Sequence, residues 1–373
     1  MNVMKKLPLL FFVLFGISLL AQKKGKYIPM KAEKWEFKAE AAEFMEYKSR
    51  PALKILTSSD RVILKDLNFT NGTIEYDFEP LDPRFASLYF RWKDALENEC
   101  FYFRTGAAGN PFAVDAIQYA PHIDGINLWD MLFHFQSNAD FKTGDWNHVK
   151  LVISGQQMKV FVNDMGHPAL VVPKLEGNVS EGQLAFDGQG IISNLEVKAD
   201  VVEGLSPEPG PDPTGNDARY LRNWGVSEVI VPPKNIDFDY GYFPNEETKW
   251  EEIVSERRGL INLTRKFGKA EDRRIVWLRT TINSAKAQER MLHLGFSDEV
   301  WVFINKRPLY MDKNYYGTPL IKSPDGRCSI ENAMIKTPLN EGDNELLVGV
   351  ANSFYGWGIV ARLDKLVDLK IEN

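Results

Sequence analysis

Cysteine is nearly absent: Cys100 and Cys328 are the two among 373 residues. So few thiols exclude a disulfide framework and a cysteine-built metal site. They lie on either side of a proline-rich stretch, so a bond between them would have to cross two domains. Two free, buried thiols are the expectation. Histidine is scarce as well. The five, at positions 122, 134, 148, 167 and 293, show no His-x-x-x-His spacing, so zinc is unsupported. No Asp-rich loop singles out a calcium site, although Asp, Asn and backbone oxygens leave room for a structural calcium ion. No other cofactor is expected. An excess of basic charge is missing too: 45 Lys+Arg face 51 Asp+Glu, a net charge of -6 with no basic run. A nucleic-acid partner is therefore not expected. The chain carries no Gly-x-Ser-x-Gly elbow, phosphate loop or dinucleotide fingerprint. Sustained helical periodicity is also lacking.

One apolar run stands out, Leu7 to Leu20, preceded by Lys5 and Lys6 and followed by Ala21-Gln22. The order of charge, apolar stretch and small residue predicts a secretory signal over residues 1–21. The run is short for a membrane span. The expectation is an exported chain, periplasmic or extracellular, with no stable membrane span once the signal is cut.

What is abundant is aromatic: 9 Trp, 13 Tyr and 23 Phe. Such residues suit β-structure and sugar-stacking surfaces. Prolines at 207, 209, 211 and 213 forbid helix and favour an extended, semi-rigid spacer over residues 201–217. The spacer divides a first domain, residues 27–200, from a second, residues 218–373. In the first, short period-two segments alternate with turns. They include Gly72–Glu79, Ser87–Trp92, Cys100–Arg104, His148–Ile153, Met158–Val162, Gln183–Phe186 and Ile191–Val197. The second half shows the same habit at Val276–Ile282, Arg290–Phe296, Val300–Ile304, Asn344–Val350 and Gly358–Leu363. The fold class read from this is all-β, two antiparallel β-sandwich (jelly-roll) domains.

Several segments, in order, carry a resemblance. They are Asn71-Gly-Thr-Ile-Glu-Tyr-Asp77, Phe101-Tyr-Phe-Arg104, Asp115-Ala-Ile-Gln-Tyr119, Gly144-Asp-Trp-Asn-His-Val-Lys150, Val160-Phe-Val-Asn163 and Leu170-Val-Val-Pro173. Together they resemble the concanavalin A-like lectin/glucanase superfamily, notably its laminin-G-like and 3-keto-disaccharide-hydrolase-like members. Gly259-Leu-Ile-Asn-Leu263, Trp277–Ile282, Leu294–Asp298, Val302–Lys306, Glu341–Asn344 and Trp357-Gly-Ile359 resemble a galactose-binding-like β-sandwich. The resemblance implies folds rather than one activity, because the superfamily holds lectins, glycosidases and adhesion modules alike.

Candidate chemistry centres on Glu75, Asp77 and Glu79, which alternate along one strand and so share a face. The pattern resembles the laminarinase-type endoglucanase motif, which implies nucleophile, helper and acid/base in that order. Retaining hydrolysis needs two carboxyls about 5–5.5 Å apart, and residues four apart on a strand are separated by ~13 Å at the backbone. The three carboxylates therefore also read as a solvated structural face. If neighbouring strands are adjacent, that face would also collect Tyr89, Arg91, Tyr102, Arg104 and Gln118, a set of donors, acceptors and aromatic platforms suited to sugar hydroxyls. Tyr119, His122 and Trp129, in an irregular loop, would rim a cleft. In the second domain, Tyr315, Tyr316, Tyr355, Trp301 and Trp357 gather near turns and suggest binding loops at one end. The functional expectation is an exported carbohydrate-binding or glycan-processing accessory protein, without its own catalytic centre. A glycoside hydrolase using the carboxylate strand and a protein-binding adhesion module are the alternatives.

Overall fold

Period-two alternation with one apolar face per segment leaves a strand little choice but to pair and bury that face. The computed structural model describes residues 25–234, 237–269 and 271–371, and it is built this way almost throughout. The signal segment expected over residues 1–21 lies outside the described residues.

The first domain is a sandwich of two antiparallel sheets. One sheet runs in the spatial order Leu170–Val172, Gln157–Val162, Asn147–Ser154, Gly72–Pro80, Gly190–Ala199, Arg50–Ile55 and Ala42–Tyr47, with Lys26–Tyr27 added on Gly190–Ala199. The other runs Gln136–Ser137, Ile117–Tyr119, Glu99–Phe103, Ala86–Trp92, Gln183–Asp187, Val62–Leu64 and Trp35–Glu36. Ile74, Tyr76 and Phe78 point inward from the first sheet and meet Leu88, Phe90, Phe101 and Phe103 of the second. The Phe78 and Phe103 rings lie 5.3 Å apart. Truncating a fully buried phenylalanine such as Phe101 to alanine costs ~3–5 kcal/mol, from lost burial and the cavity left behind.

The second domain repeats the plan with different strands. Its larger sheet runs Trp250–Val254, Asn223–Ser227, Arg274–Ser284, Gly342–Asn352, Asp298–Ile304 and Arg307–Asn314, with Leu369–Ile371 beside Arg274–Ser284. The smaller runs Leu260–Asn262, Gly358–Leu363, Gln288–Phe296 and Ala333–Leu339. Val276, Leu278, Leu292, Leu294, Val300 and Val348 fill the space between them. The α-helix among the described residues is one short piece, Leu263–Phe267, which the Asn262 side chain caps by accepting from the Arg265 N–H. No helix of the described residues is long and apolar enough to cross a membrane.

The two sandwiches are not beads on a spacer. The apolar cluster of the first domain takes in Tyr220, Leu260, Cys328 and Val360 of the second. The proline-rich segment is a strap fastened on both sides. The Pro207 carbonyl accepts from Gln156 N–H at 3.0 Å, and Gly210 N–H donates to the Pro173 carbonyl at 2.8 Å. The Arg257 guanidinium, in the second domain, donates to the carbonyls of Gly210 and Pro211 at 2.8 and 2.9 Å. Gly155, at φ +51°, makes this seating feasible, because a Cβ there would lie 2.2 Å from the Pro207 oxygen. Alternating proline sets an extended path with few N–H donors, so both domains hold the strap mainly by its carbonyls, with Gly210 N–H as the added donor.

Candidate functional site

Glu75, Asp77 and Glu79 do share a face, the outer face of the sheet that contains Gly72–Pro80. Each is already engaged. Glu75 accepts from Lys198 at 2.8 Å and lies 3.5 Å from His148. Asp77 accepts from Arg50 and Asn194, both at 2.7 Å, and pairs with His148 at 2.8 Å. Glu79 accepts from Lys48 at 2.7 Å and from the Tyr47 hydroxyl at 3.1 Å. The contact with His148, helped by Lys198, holds the Glu75 carboxyl down at about 2. His148, held between Asp77 and Glu75, is raised to about 9. Asp77 is likewise lowered against its own desolvation by His148 and Asn194. Carboxyls held this low cannot serve as the general acid, which must be raised toward neutrality, and Glu79, to which the resemblance gives that role, is tied to the Lys48 ammonium and the Tyr47 hydroxyl. Glu75 and Asp77 are bound into an ion-pair lattice rather than poised to give up a proton.

The expected union of this face with the tyrosines and arginines does not occur. Tyr89, Arg91, Tyr102, Arg104 and Gln118 belong to the opposite sheet, whose outer face points away from the carboxylates. Arg91 also leaves the expected face. The pairing Ala185↔Tyr89 and Gln183↔Trp92 gives the Ala86–Trp92 strand one extra residue, a β-bulge, and Arg91 sits there at φ +50°. The bulge breaks strict alternation. It puts Trp92 beside Tyr89 and turns the Arg91 guanidinium to the carbonyls of Thr70 and Gly155, at 2.7 and 2.8 Å. Tyr119 is fully buried on the core side. Its hydroxyl donates to Glu99 at 2.6 Å and accepts from Glu176 N–H at 2.7 Å. Gln118 is buried beneath the outer surface, where it organises rather than meets solvent. Its Oε1 accepts from Tyr102 and from Arg104, both at 2.8 Å, and its Nε2 donates to the Trp129 carbonyl at 2.7 Å.

What remains on that outer face forms a cleft of about 590 Å³ between the two domains. Tyr89, Cys100, Tyr102 and Asp187 make its floor, with Arg104 beside them. The hairpin that pairs His122 with Asn127, and Trp129 after it, make one wall. The other wall comes from the second domain: Tyr316, Phe354 and Tyr355. Trp129 joins the two walls. Its ring meets those of Tyr316 at 4.9 Å and Tyr355 at 5.9 Å, and the Arg327 guanidinium lies 5.3 Å over it. Tyr316 and Phe354 stand nearly parallel, 7° apart in plane. Tyr316, Phe354, Tyr355 and Phe85 are each 43–51% exposed, a concentration of uncovered ring at one rim.

The polar groups of the cleft are fixed in place. Asp187 accepts from the Tyr89 hydroxyl at 2.8 Å and pairs with Arg61 at 3.2 Å, yet burial raises its pKa. Burial, with Arg61 nearby, lowers His122 to about 4, so its imidazole is neutral, and its Nδ1 is buried without a partner. Asn127 Oδ1 is likewise buried and unsatisfied. Burial pushes the Cys100 thiol up, which makes it a poor nucleophile, and Cys100 and Cys328 are both free. No group of three or more His, Cys, Asp or Glu that could hold a metal occurs among the described residues.

Beneath the second-domain wall lie two buried carboxylates. Asp298 Oδ2 accepts from the N–H groups of Ser353 and Phe354, the latter at 2.8 Å. Asp130 reaches across from the first domain, and its Oδ2 accepts from Gly356 N–H at 3.1 Å while its carbonyl accepts from Cys328 N–H at 3.0 Å. The segment that presents Phe354 and Tyr355 is therefore clamped from both domains. Burial, then the proximity of Asp298, raises Asp130 to about 8, and its Oδ1 has no partner. Burial raises Asp298 to about 7. Asp130 and Asp187 stand in segments whose spacing carries no motif, and Asp298 ends the Leu294–Asp298 segment, which carries a fold resemblance and says nothing of its carboxylate. Tyr316 and Tyr355 were legible as loop aromatics, but not as the far wall of a first-domain site. Trp301 and Trp357, grouped with them in the sequence, are core residues.

No family model matches this sequence, and no curated protein matches it. Among solved structures, a carbohydrate binding module from Bacillus subtilis is 15% identical, with 43% of this chain and 93% of that chain covered and a TM-score of 0.32. A beta-glucanase from Bacillus licheniformis is 10% identical, covering 47% and 98%, at a TM-score of 0.34. Domain 4 of an extracellular arabinanase from Geobacillus stearothermophilus, in complex with arabinotriose, is 14% identical, covering 42% and 75%, at 0.29. Scores of this size carry no argument, and the all-β architecture rests on the paired strands themselves.

Proposed function

We propose that the chain is an exported, non-catalytic carbohydrate-binding protein whose site is the cleft between its two domains. One observation carries the reading: half-exposed aromatic rings from both domains face a floor of immobilised hydroxyl, guanidinium and carboxyl groups. A sugar has apolar C–H faces and polar edges. The rings take the faces, and the fixed donors and acceptors take the hydroxyls. The volume suits a short oligosaccharide segment, within the ~300–1,000 Å³ usual for ligand sites. The unsatisfied His122 Nδ1 and Asn127 Oδ1 add capacity for ligand hydrogen bonds. The second sandwich, read as galactose-binding-like, supplies one wall. Export rests on the charged-then-apolar order of residues 1–21.

Binding is favoured over hydrolysis by the carboxyl count. Two-carboxylate glycosidases need a pair flanking the bond. Asp187 is the one carboxylate among the described residues lining the cleft, and Arg61 and Tyr89 hold it. A glycan array with the mature chain tests the proposal, beside Phe354→Ala and Tyr355→Ala variants and a reducing-sugar assay. Binding that both variants weaken, without release of reducing ends, is the expected result. Equal binding by all three proteins removes the cleft from the argument, and turnover removes the non-catalytic reading.

A further inference from the structure

The outer face of the larger sheet in the second domain is only half covered. At one end Phe238, Tyr242 and Phe243 pack over Trp277, Trp301 and Phe303. Past Trp250 the cover stops, and a groove of about 490 Å³ opens. Its position follows from register. Gly225 stands between Glu252 on one neighbouring strand and Arg279 on the other, and Thr281 faces Glu345 across the next pair. Asn223, two residues before Gly225, shares the face. Gly225 has no side chain, so the sheet is open there. A Cβ at that position would lie 3.2 Å from Arg279 and 3.4 Å from Trp250.

The chemistry of this groove lies in its uncommitted side chains. Many arginines of this surface are held by carboxylates, as Arg50 is by Asp77, Arg104 by Asp115, Arg219 by Asp217 and Arg265 by Glu256. Among the described residues, the side chains of Asn223, Glu252, Arg279, Thr281 and Glu345 make no hydrogen bond or ion pair with one another or with anything else. Arg279 has one ring contact, with Trp250, 4.3 Å from the ring centroid. Five uncommitted polar side chains thus surround a gap with an indole at its edge.

We propose that this groove is a second binding site, separate from the interdomain cleft, and that it takes a neutral sugar unit. The class follows from the alternation of charge. An anionic ligand meets Glu252 and Glu345, and a cationic one meets Arg279. A neutral polyol offers donors to the two carboxylates and acceptors to the guanidinium, and neighbouring hydroxyls match their two-atom forks. Asn223 and Thr281 extend the hydrogen bonding, and the exposed part of Trp250 covers an apolar sugar face. None of the residues lining the groove lines the cleft. The site stands whether or not the cleft reading holds.

Titration calorimetry of the full mature chain with arabinotriose, laminaritriose and mannotriose tests it, with tri-galacturonate and chitotriosamine as the charged comparators. Arg279→Ala and Glu345→Ala probe the groove, and Phe354→Ala probes the cleft. Both groove variants alter groups outside the core, so thermal unfolding should be unchanged. The expected result is a heat of binding to a neutral trisaccharide that Arg279→Ala and Glu345→Ala each weaken at least tenfold and Phe354→Ala leaves in place. A neutral-trisaccharide signal that the groove variants do not move overturns the proposal. So does the absence of any such signal, or a groove signal given by the charged trimers alone. The cleft reading is judged by stoichiometry: with both sites filled, two trisaccharides bind and Phe354→Ala removes one of them, whereas a single bound trisaccharide that only the groove variants remove sinks the cleft reading and leaves the groove standing.

Discussion

The clamp under the aromatic wall makes stability depend on pH in a direction opposite to that of an ordinary surface carboxylate. Asp130 is buried, reaches from one domain to the Gly356 N–H of the other, and keeps its proton up to about 8 instead of its usual 3.8. In the unfolded chain the proton is lost near 4, so between about pH 4 and 8 the folded state binds more protons than the unfolded one. Stability must then fall as pH rises across that window and level off above it. Each pH unit is worth ~1.4 kcal/mol at full effect, so the four-unit span amounts to as much as ~5 kcal/mol. The amide introduced by Asp130→Asn cannot ionise, yet it keeps an oxygen for the Gly356 N–H. The variant should match the parent near pH 4.5 and exceed it above pH 8. At ~1–2 °C per kcal/mol for a chain of this length melting as one unit, the difference reaches several degrees. Thermal unfolding followed by circular dichroism from pH 4.5 to 9 measures it. Asp298, raised to about 7, adds a smaller effect of the same sign, and Asp298→Asn tests it separately. A gap between parent and Asp130→Asn that stays constant from pH 5 to pH 9 would refute the reasoning, because it would mean that the carboxyl carries no proton the unfolded state lacks.

Three more outcomes are expected. Glu79→Gln removes the charge paired with Lys48, which is exposed and keeps the Gly144 carbonyl, so stability in chemical denaturation should fall only slightly; glycan binding should not change, and loss of a glycan-cleaving activity at unaltered stability would instead restore the carboxylate strand as a catalytic one. His148→Gln should destabilise most below pH 6.5, where the raised imidazole is charged in both states, and the deficit should vanish as pH climbs through about 9; because the ring is partly exposed, a melting shift of a degree or two is the scale, and a deficit that grows with pH contradicts it. Gly155→Ala forces a Cβ against the Pro207 oxygen and should both lower the melting temperature and open residues 205–213 to limited proteolysis; equal protease resistance would show that the strap does not depend on this contact.

The strands that alternate cleanly were readable, because alternation is the direct imprint of a half-buried sheet. The segment Gly72–Pro80, with Ile74, Tyr76 and Phe78 inward, is the clearest case. The hairpin Ala42–Tyr47 with Arg50–Ile55 was not readable. Its turn is Lys48-Ser49, both at positive φ, and neither residue carries the glycine or asparagine signal of such turns. Tyr89, Tyr102, Arg104, His122 and Trp129 come together on the cleft, whereas Arg91, Gln118 and Tyr119 do not. Arg91 was lost to a bulge, and a single inserted residue leaves no mark on a short strand's pattern. Which sheet each strand joins was the larger gap. Glu75 and Tyr102 sit on opposite outer faces because non-local pairing decides neighbours, and adjacency in sequence does not. Likewise, nothing in the second half announces that Phe354 will face Tyr102.

The strap over residues 205–213 has a consequence for how the molecule comes apart. Gripped at Gln156 and Pro173 on one side and Arg257 on the other, it cannot slacken without breaking bonds to both halves. The halves should therefore melt together in one cooperative step. A saccharide seated between them would shift that single melt, not one of two, so calorimetry of the intact chain becomes a direct gauge of occupancy.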